Sequence, residues 1–544
     1  MTQSEGSLSL LNDVLRGRCS RRDLLTRAAA LGIGTSAIAT MVGLHDRAVQ
    51  AQTPDTEPTG AITWAIESDP VNLIPFGATA TSNMWGKEFM YDSLLEWDKD
   101  LNILPALAES YEAAADATSY TFKLRQGVKF HDGKEMTSAD VKYSIETAIS
   151  PPEPGIAYPF LANIASVEAV DPYTVKINMS KSDPAIPGVL AWQRYTPIVP
   201  ENSAGPMENW LSKGIGTGPF QLVEFNPNDS VVYTAFADHW KQGSPCIKDL
   251  TLKVLPDEQS RVSGLRAGEI DGATISADVR LTLENDDEME ILSGLFAAPR
   301  VIQISTVTAD TPWRDTRVRQ AINKVVDRQE IIDKVYGGEA ELTGAISPGY
   351  GDWPLTSDEL AELYKVDVEG AKALMAEAGF ADGFSVTLQA ISAPRDYTQI
   401  AEIVREQVAQ LNIKVEVQPL EIGTFAKNIG DGSYEWASTG RGMRGDPSGF
   451  VLDFRSGTAN NVKWFGDGWK NDELDQAYDA ALATADVAQR HELYRRIQQI
   501  IAQEAAHIYT VQPRKFQVVR KRVSGMYVAY TDFNTGLRQA CVSE

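Results

Sequence analysis
The hydrophobic pattern of this chain changes period many times, and each change predicts a switch between strand and helix. Ile62, Trp64 and Ile66 alternate as a strand should, as do Tyr120, Phe122 and Leu124, and then Tyr173, Val175, Ile177 and Met179. Between the last two sets the spacing becomes helical. Thr137 with Asp140 three residues on makes a capping box, Val141, Ile145, Ala148 and Ile149 share one face, and Pro151 stops the helix.

The same alternation runs on to the C-terminal end. Gly216 to Phe220 is a tight turn entering a strand, Leu250 to Leu255 is a strand, and a helix opens at Asp257 and ends at Ala267 to Ala273. After a strand at Val301 to Val307, Val318, Ala321, Ile322 and Val325 line one helix face. Asp327 caps the next helix, with Glu330 at its third position and Gly337 and Gly338 at its end. Asp367 to Ala378 reads as a further helix stopped by Gly379. Strands at Phe384 to Ala390 and Ile413 to Val417 flank a helix from about Tyr397 to Leu411, which is a βαβ unit. Asp486 opens a long amphipathic helix with Val487, Leu493, Ile497, Ile500 and Ile501 inward. The architecture expected is α/β with mixed sheets in two lobes.

Composition narrows the partners. Fifty Lys and Arg stand against 74 Asp and Glu, a formal net charge of -24, which argues against nucleic acid or an anionic membrane surface. At 544 residues with 43% hydrophobic content the chain is long enough for two or three globular domains. Residues 1–51 read as an export leader. Ser20 to Thr26 carries a twin-arginine motif, an apolar run of about 17 residues follows from Ala28 to Leu44, and Val49-Gln50-Ala51 offers a cleavage site. Cleavage after Ala51 is expected, with a retained membrane anchor as the alternative. Of the cysteines, Cys19 lies in the leader, and Cys246 and Cys541 are either a disulfide or two buried thiols.

Motifs for catalysis are missing. His491-Glu492 begins like a zinc-protease helix, but Arg495 stands where the second histidine would be, and no GxSxG elbow or CxxC pair occurs. Gly440 to Gly445 satisfies GxGxxG, yet Asp446 and Pro447 follow at once and Ser448 to Phe454 shows no helical stripe, so a dinucleotide site is not expected. What the turn does hold is Arg441 and Arg444, separated by glycine and Met443. In so acidic a chain, two planar guanidinium forks on a glycine-rich turn suit a carboxylate or phosphate.

Several segments, in order, resemble the extracytoplasmic solute-binding proteins of ATP-binding cassette importers, in the peptide, nickel and opine-binding family. They are YTFKLRQGVKFHDGKEMTSADVKYSI, GTGPF, the pair Asp238 and Trp240, SRVSGLRAGEIDGA, RDTRVRQAINKVVDRQEIIDKVYGG, VDVEGAKALMAEAGF and RHELYRRIQQIIAQEAAHIYT. The resemblance implies a two-lobed periplasmic-binding-protein fold of the large type, acting as a monomer without cofactor, metal or catalysis. It implies one lobe from about 52–302 plus 510–544, with an extra subdomain at about 85–210, and a second lobe at 303–509. The lobes would close over a small peptide-like or anionic solute in the periplasm and deliver it to a membrane permease. An ordinary oligopeptide or dipeptide binder, a ligand sensor uncoupled from transport and an exported hydrolase on a related scaffold are the competing readings.

The resemblance also assigns candidate ligand contacts. In dipeptide binders of this family an Arg-x-Tyr segment after a strand holds the ligand carboxylate, and Arg395 and Tyr397 match it. Those relatives place an aspartate for the ligand amine in the glycine-rich turn, where this chain has Met443; a slip of the alignment would give that role to Asp446. Met443 cannot neutralise an ammonium, so an acidic or amine-free ligand, opine-like or phosphorylated, is expected over a free dipeptide. Trp85, Trp192, Tyr195 and Trp436 are candidate apolar walls, and Arg194 is a further candidate anion contact.

Overall fold
The computed structural model describes residues 57–70, 72–76, 81–150, 158–203, 214–442, 444–531 and 534–543. The leader at 1–51 and Met443 lie outside the described residues. The first strand, β1 (Thr59–Ile66), buries Ile62, Trp64 and Ile66 on one face and Ala65 on the other, so it sits inside a sheet covered on both sides. Its neighbours in that sheet come from far along the chain, because the backbone leaves at once to build a separate antiparallel unit.

That unit is β2 (Ala108–Ala113), β3 (Ser119–Leu124), β4 (Ile164–Asp171) and β5 (Thr174–Met179), paired in the order β2-β3-β5-β4. Tyr120, Phe122 and Leu124 point into the core as their alternation predicts. Helix α1 (Ser138–Ile149) packs against β4, and its start is held by the Asp140 carboxylate, which accepts the Thr137 amide at 2.8 Å. After β5 comes the short helix α2 (Ile186–Leu190).

The chain then returns to the first sheet as β6 (Phe220–Asn226), β7 (Ser230–Ala235) and β8 (Ile247–Val254). Helix α3 (Glu258–Ala267) leads to β9 (Gly272–Ile275) and β10 (Met289–Leu295). Asp257 caps α3 through the Ser260 amide, and Gly268 ends it at φ 73°, a left-handed conformation that costs glycine little. The sheet is completed by β17 (Val511–Arg520) near the C-terminal end, in the order β10-β17-β9-β1-β8-β7-β6, with β1 parallel to both its neighbours.

A second, five-stranded sheet has its own core. Strands β11 (Arg300–Ile304), β13 (Ser385–Ile391), β14 (Lys414–Leu420), β15 (Trp436–Gly440) and β16 (Ile508–Tyr509) pair in the order β14-β13-β15-β11-β16. Helices α4 (Thr316–Val325), α5 (Arg328–Tyr336), α6 (Val368–Glu377) and α7 (Asp396–Val408) supply its apolar cover, and α7 joins β13 to β14 in the parallel βαβ unit read from the sequence. The backbone passes between the two sheets at Leu295 to Arg300 and at Tyr509 to Val511. One short strand, β12 (Ala340–Leu342), belongs by sequence to the stretch of the second sheet yet pairs with β17 of the first.

Cys246 and Cys541 form a disulfide, which joins the edge of β8 to the C-terminal tail. Two local expectations need correction. Val487 is 58% exposed, because burial on its helix begins only at Arg490. Pro447 to Val451 is a short helix, made possible by Asp446 as its cap and by proline in its first turn, where no amide is needed.

Candidate functional site
The glycine-rich turn leaves β15 at Gly440 and runs into helix α8 (Pro447–Val451). Asp446 is fully committed there. Its Oδ1 accepts the Ser448 amide at 2.9 Å, and both its oxygens take Arg490 Nη2, at 2.8 and 2.9 Å. Arg490 reaches it from the long helix, which with helix α9 (Asp472–Ala483) forms an antiparallel pair; the long helix is α10 (Val487–Gln503).

Arg441 is committed only in part. Nη1 meets Asp453 Oδ2 at 2.6 Å, and the guanidinium lies 4.5 Å from the centroid of the Trp464 ring. Its side chain is 10% exposed, yet Nε and Nη2 have no acceptor among the described residues. Arg444 donates from Nη1 to the Gly442 carbonyl at 3.1 Å and stands 5.9 Å from the Phe160 ring centroid, which belongs to the opposite wall.

That side is an aromatic and basic cluster whose Trp192 and Tyr195 are buried in the first core, at 3% and 2% exposed. Phe160 stacks on Tyr195 at 5.1 Å, Tyr195 meets Trp192 edge-on at 4.7 Å, and the Arg194 guanidinium lies 5.4 Å from the Trp192 ring centroid. Burial pushes the Tyr195 hydroxyl above its usual range, and Arg444 and Arg194 both pull it back. Tyr509, at the second crossing between the sheets, behaves in the same way under burial, with Arg441 and Arg444 opposing the rise. Arg444 thus acts electrostatically on Tyr195 together with Arg194, and on Tyr509 together with Arg441. Lys87 is buried nearby, and burial first, then Arg194, lowers its ammonium to about 7. Its Nζ donates to the Ile74 and Pro75 carbonyls at 3.0 and 2.9 Å.

A cavity of about 290 Å³ opens beside the turn, lined by Asn163, Asp183, Ser448, Arg455, Tyr478 and Asp479 among others. Arg455 and Asp479 are paired at 2.9 Å. Asp183 is 5% exposed, and its oxygens accept Asn163 Nδ2 at 2.7 Å and the Ala185 amide at 3.1 Å. Burial, then the Asp446 carboxylate among its neighbours, raises the Asp183 carboxyl above its usual range. Nothing in the spacing of KSDPAIPG marks this residue, whose position depends on where the β5 to α2 connection lands.

The other expected contacts separate. Arg395 is exposed at the start of α7. Tyr397, two residues on, lies under the Arg300 guanidinium at 4.4 Å, and its hydroxyl would be 2.7 Å from a Cβ placed on Gly440, at the mouth of the turn. Arg300, which the sequence did not single out, is buried and bonds Asp396 Oδ2 from Nε at 2.7 Å. Trp85 is half-buried against the first core. Trp436 is fully buried between Trp313 and Phe384, with ring centroids 5.8 and 6.4 Å away, so it is core of the second sheet and not a wall of the cleft.

Known proteins share this fold. The model of the bacterial extracellular solute-binding proteins, family 5, matches residues 102–462. The glutathione-binding protein GsiB of Salmonella typhi is 29% identical over 485 residues, covering 85% of this chain and 91% of that protein. Among solved structures, AgaA from A. tumefaciens R10, in complex with agropinic acid, superposes with a TM-score of 0.78 at 26% identity, over 89% of this chain and 99% of that one. AppA of Bacillus subtilis, an oligopeptide-binding protein, shares the fold with a TM-score of 0.75 at 23% identity, over 90% of this chain and all of that one. The two core sheets, the double crossing between them and the family match over two thirds of the chain lead to one assignment: the chain belongs to the bacterial extracellular solute-binding proteins, family 5, and is a two-lobed binding protein, not an enzyme.

Proposed function
We propose that this protein captures an acidic small molecule, opine-like or phosphorylated in preference to a free dipeptide, and carries it through the periplasm to the permease of an ATP-binding cassette importer. The observation that carries the reading is Arg441. A guanidinium one-tenth exposed, with Nε and Nη2 lacking acceptors among the described residues, calls for an anion. A buried charged donor left unmade costs upward of about 1–3 kcal/mol. Arg444 stands at the same turn beside the opposite wall, and Arg194 shares Tyr195 with it. A carboxylate or phosphate held between these guanidiniums would contact both lobes, and so would bind the closed form better than the open one. The crossings at Leu295 to Arg300 and Tyr509 to Val511 are the natural hinge.

AgaA, in complex with agropinic acid, an opine, supports this class, whereas GsiB is named for glutathione, a peptide that carries both carboxylates and a free amine. With Asp446 taken by Arg490, no carboxylate of the described part of the turn is left for a ligand ammonium. A thermal-shift screen of the full chain against opine acids, sugar phosphates, dipeptides and N-blocked dipeptides tests the reading. A ligand at 100 times its Kd adds about 2.7 kcal/mol of stability. Acidic, amine-free compounds are expected to raise the melting temperature and free dipeptides are not; the reverse ranking refutes the proposal.

A further inference from the structure
The two walls of the cleft touch backbone to backbone at Gly188 and Gly445. Gly188 lies within α2, where a Cβ would fall 1.9 Å from the Gly445 carbonyl oxygen and 3.0 Å from its carbonyl carbon. On the other side, a Cβ on Gly445 would lie 3.0 Å from the Gly188 oxygen and 3.1 Å from Val189 Cα. Neither glycine has a positive φ, so backbone conformation does not require them. Alanine would be the better helix former at 188. What glycine supplies there is the absence of a side chain. The obstructing atoms are main chain on both sides, and they cannot swing away as the tip of a long side chain could.

The close approach continues along the turn. A Cβ on Gly449 would lie 2.8 Å from Arg444 Cβ and 3.1 Å from Phe160 Cε1, so the arginine turn, α8 and the aromatic wall meet with no slack.

We infer that Gly188 and Gly445 form a side-chain-free clasp that sets the size of what the protein encloses. The lobes seal only when nothing lies between these two residues. The occupant is therefore a compact solute lying wholly on one side of the contact, and an extended peptide running between the lobes past this point is shut out. This goes beyond the charge of the ligand and holds whether or not the ligand is acidic.

The test uses the full chain with nitroxide labels at Val170→Cys and Val462→Cys, positions 58% and 56% exposed. Pulsed electron spin resonance then gives the distance distribution in buffer and after incubation with a deproteinised periplasmic extract. The unmodified clasp is expected to show a short-distance component in the extract, and Gly188→Ala to reduce its population by roughly fivefold or more. Gly445→Ala must reproduce the loss from the other lobe. Gly430→Ala, a helical glycine with no atom within 4 Å of its added Cβ, must leave the component intact. Ligand-free Gly188→Ala should melt at or above the parent, which separates lost closure from lost folding. A short component that survives Gly188→Ala, or is absent from the parent in the extract, overturns the clasp. So does a nonapeptide that raises the parent's melting temperature.

Discussion

Arg490 Nη2 lies 2.8 and 2.9 Å from the two carboxylate oxygens of Asp446, and both side chains are buried. The same carboxylate caps α8, so one group holds the glycine-rich turn to α10 and starts the helix that follows it. Asp446 is thereby a structural anchor of the turn that presents Arg441 and Arg444.

Asp446→Asn should accordingly destabilise the protein. Removing one partner of a buried ion pair typically costs about 3–5 kcal/mol, because the remaining charge is stranded. Urea denaturation without ligand measures this. A variant as stable as the parent would mean that Arg490 does not depend on Asp446, and the carboxylate would be available to a ligand after all.

Removing the guanidiniums should weaken binding without weakening the fold. A hydrogen bond to a charged group contributes about 1.5–3 kcal/mol, so Arg444→Ala and Arg194→Ala are each expected to lower affinity for an acidic ligand by about ten- to a hundredfold. Arg444→Lys should recover part of the loss, since an ammonium keeps the charge but not the fork. Calorimetry on the best compound of the thermal-shift screen reads the effect. Undiminished affinity in Arg444→Ala would remove the turn from the site.

Glu88 gives a pH dependence of stability with a definite sign. It is buried, accepts the Asn534 amide and the Thr535 hydroxyl at 2.9 Å each, and burial raises its carboxyl to about 8 against opposing bonds and nearby Arg538 and Lys515. Between its usual value near 4.5 and 8 the folded state holds a proton that the unfolded chain has lost. This group's contribution is therefore complete below that window and falls as pH rises through it. Lys87, lowered to about 7, acts in the other direction from there upward to its usual 10.5. Glu88→Gln should flatten the decline between pH 4.5 and 8 in chemical denaturation. An unaltered slope would mean the carboxyl is not protonated in the folded protein.

The Cys246 to Cys541 bridge ties the C-terminal tail to the strand beside β1. Cys541→Ser should lower stability under oxidising conditions by about 2–4 kcal/mol, the usual contribution of a native bridge. Under reducing conditions the variant and the parent should converge. A difference that persists after reduction would place the effect in local packing and not in the cross-link.

Much of the fold was legible because its signals are local. The capping box at Thr137 and Asp140, the cap at Asp327 and the left-handed stop at Gly337 follow from side chains, or the lack of one, acting within one or two turns, and the βαβ unit around α7 follows from the switch in hydrophobic period. Whether Trp436 is core or cleft wall stays open in the sequence, because an aromatic residue has the same periodicity in both, and only its neighbours Trp313 and Phe384 distinguish the two. Val487 fits the apolar stripe of its helix, but the stripe meets its partner one turn later.

What the sequence determined by itself is the order of strands and helices, the acidic surface, the family segments and the presence of two arginines in a glycine-rich turn. Tertiary structure alone decided that Asp446 is occupied by Arg490, that Arg444 lies over Phe160, that Cys246 reaches Cys541, and that Gly188 rests on Gly445. Each of these joins residues far apart in the chain. Periodicity and capping act over a few residues, whereas charge pairing, cross-linking and backbone contact between distant segments exist only once the elements that carry them have been packed together.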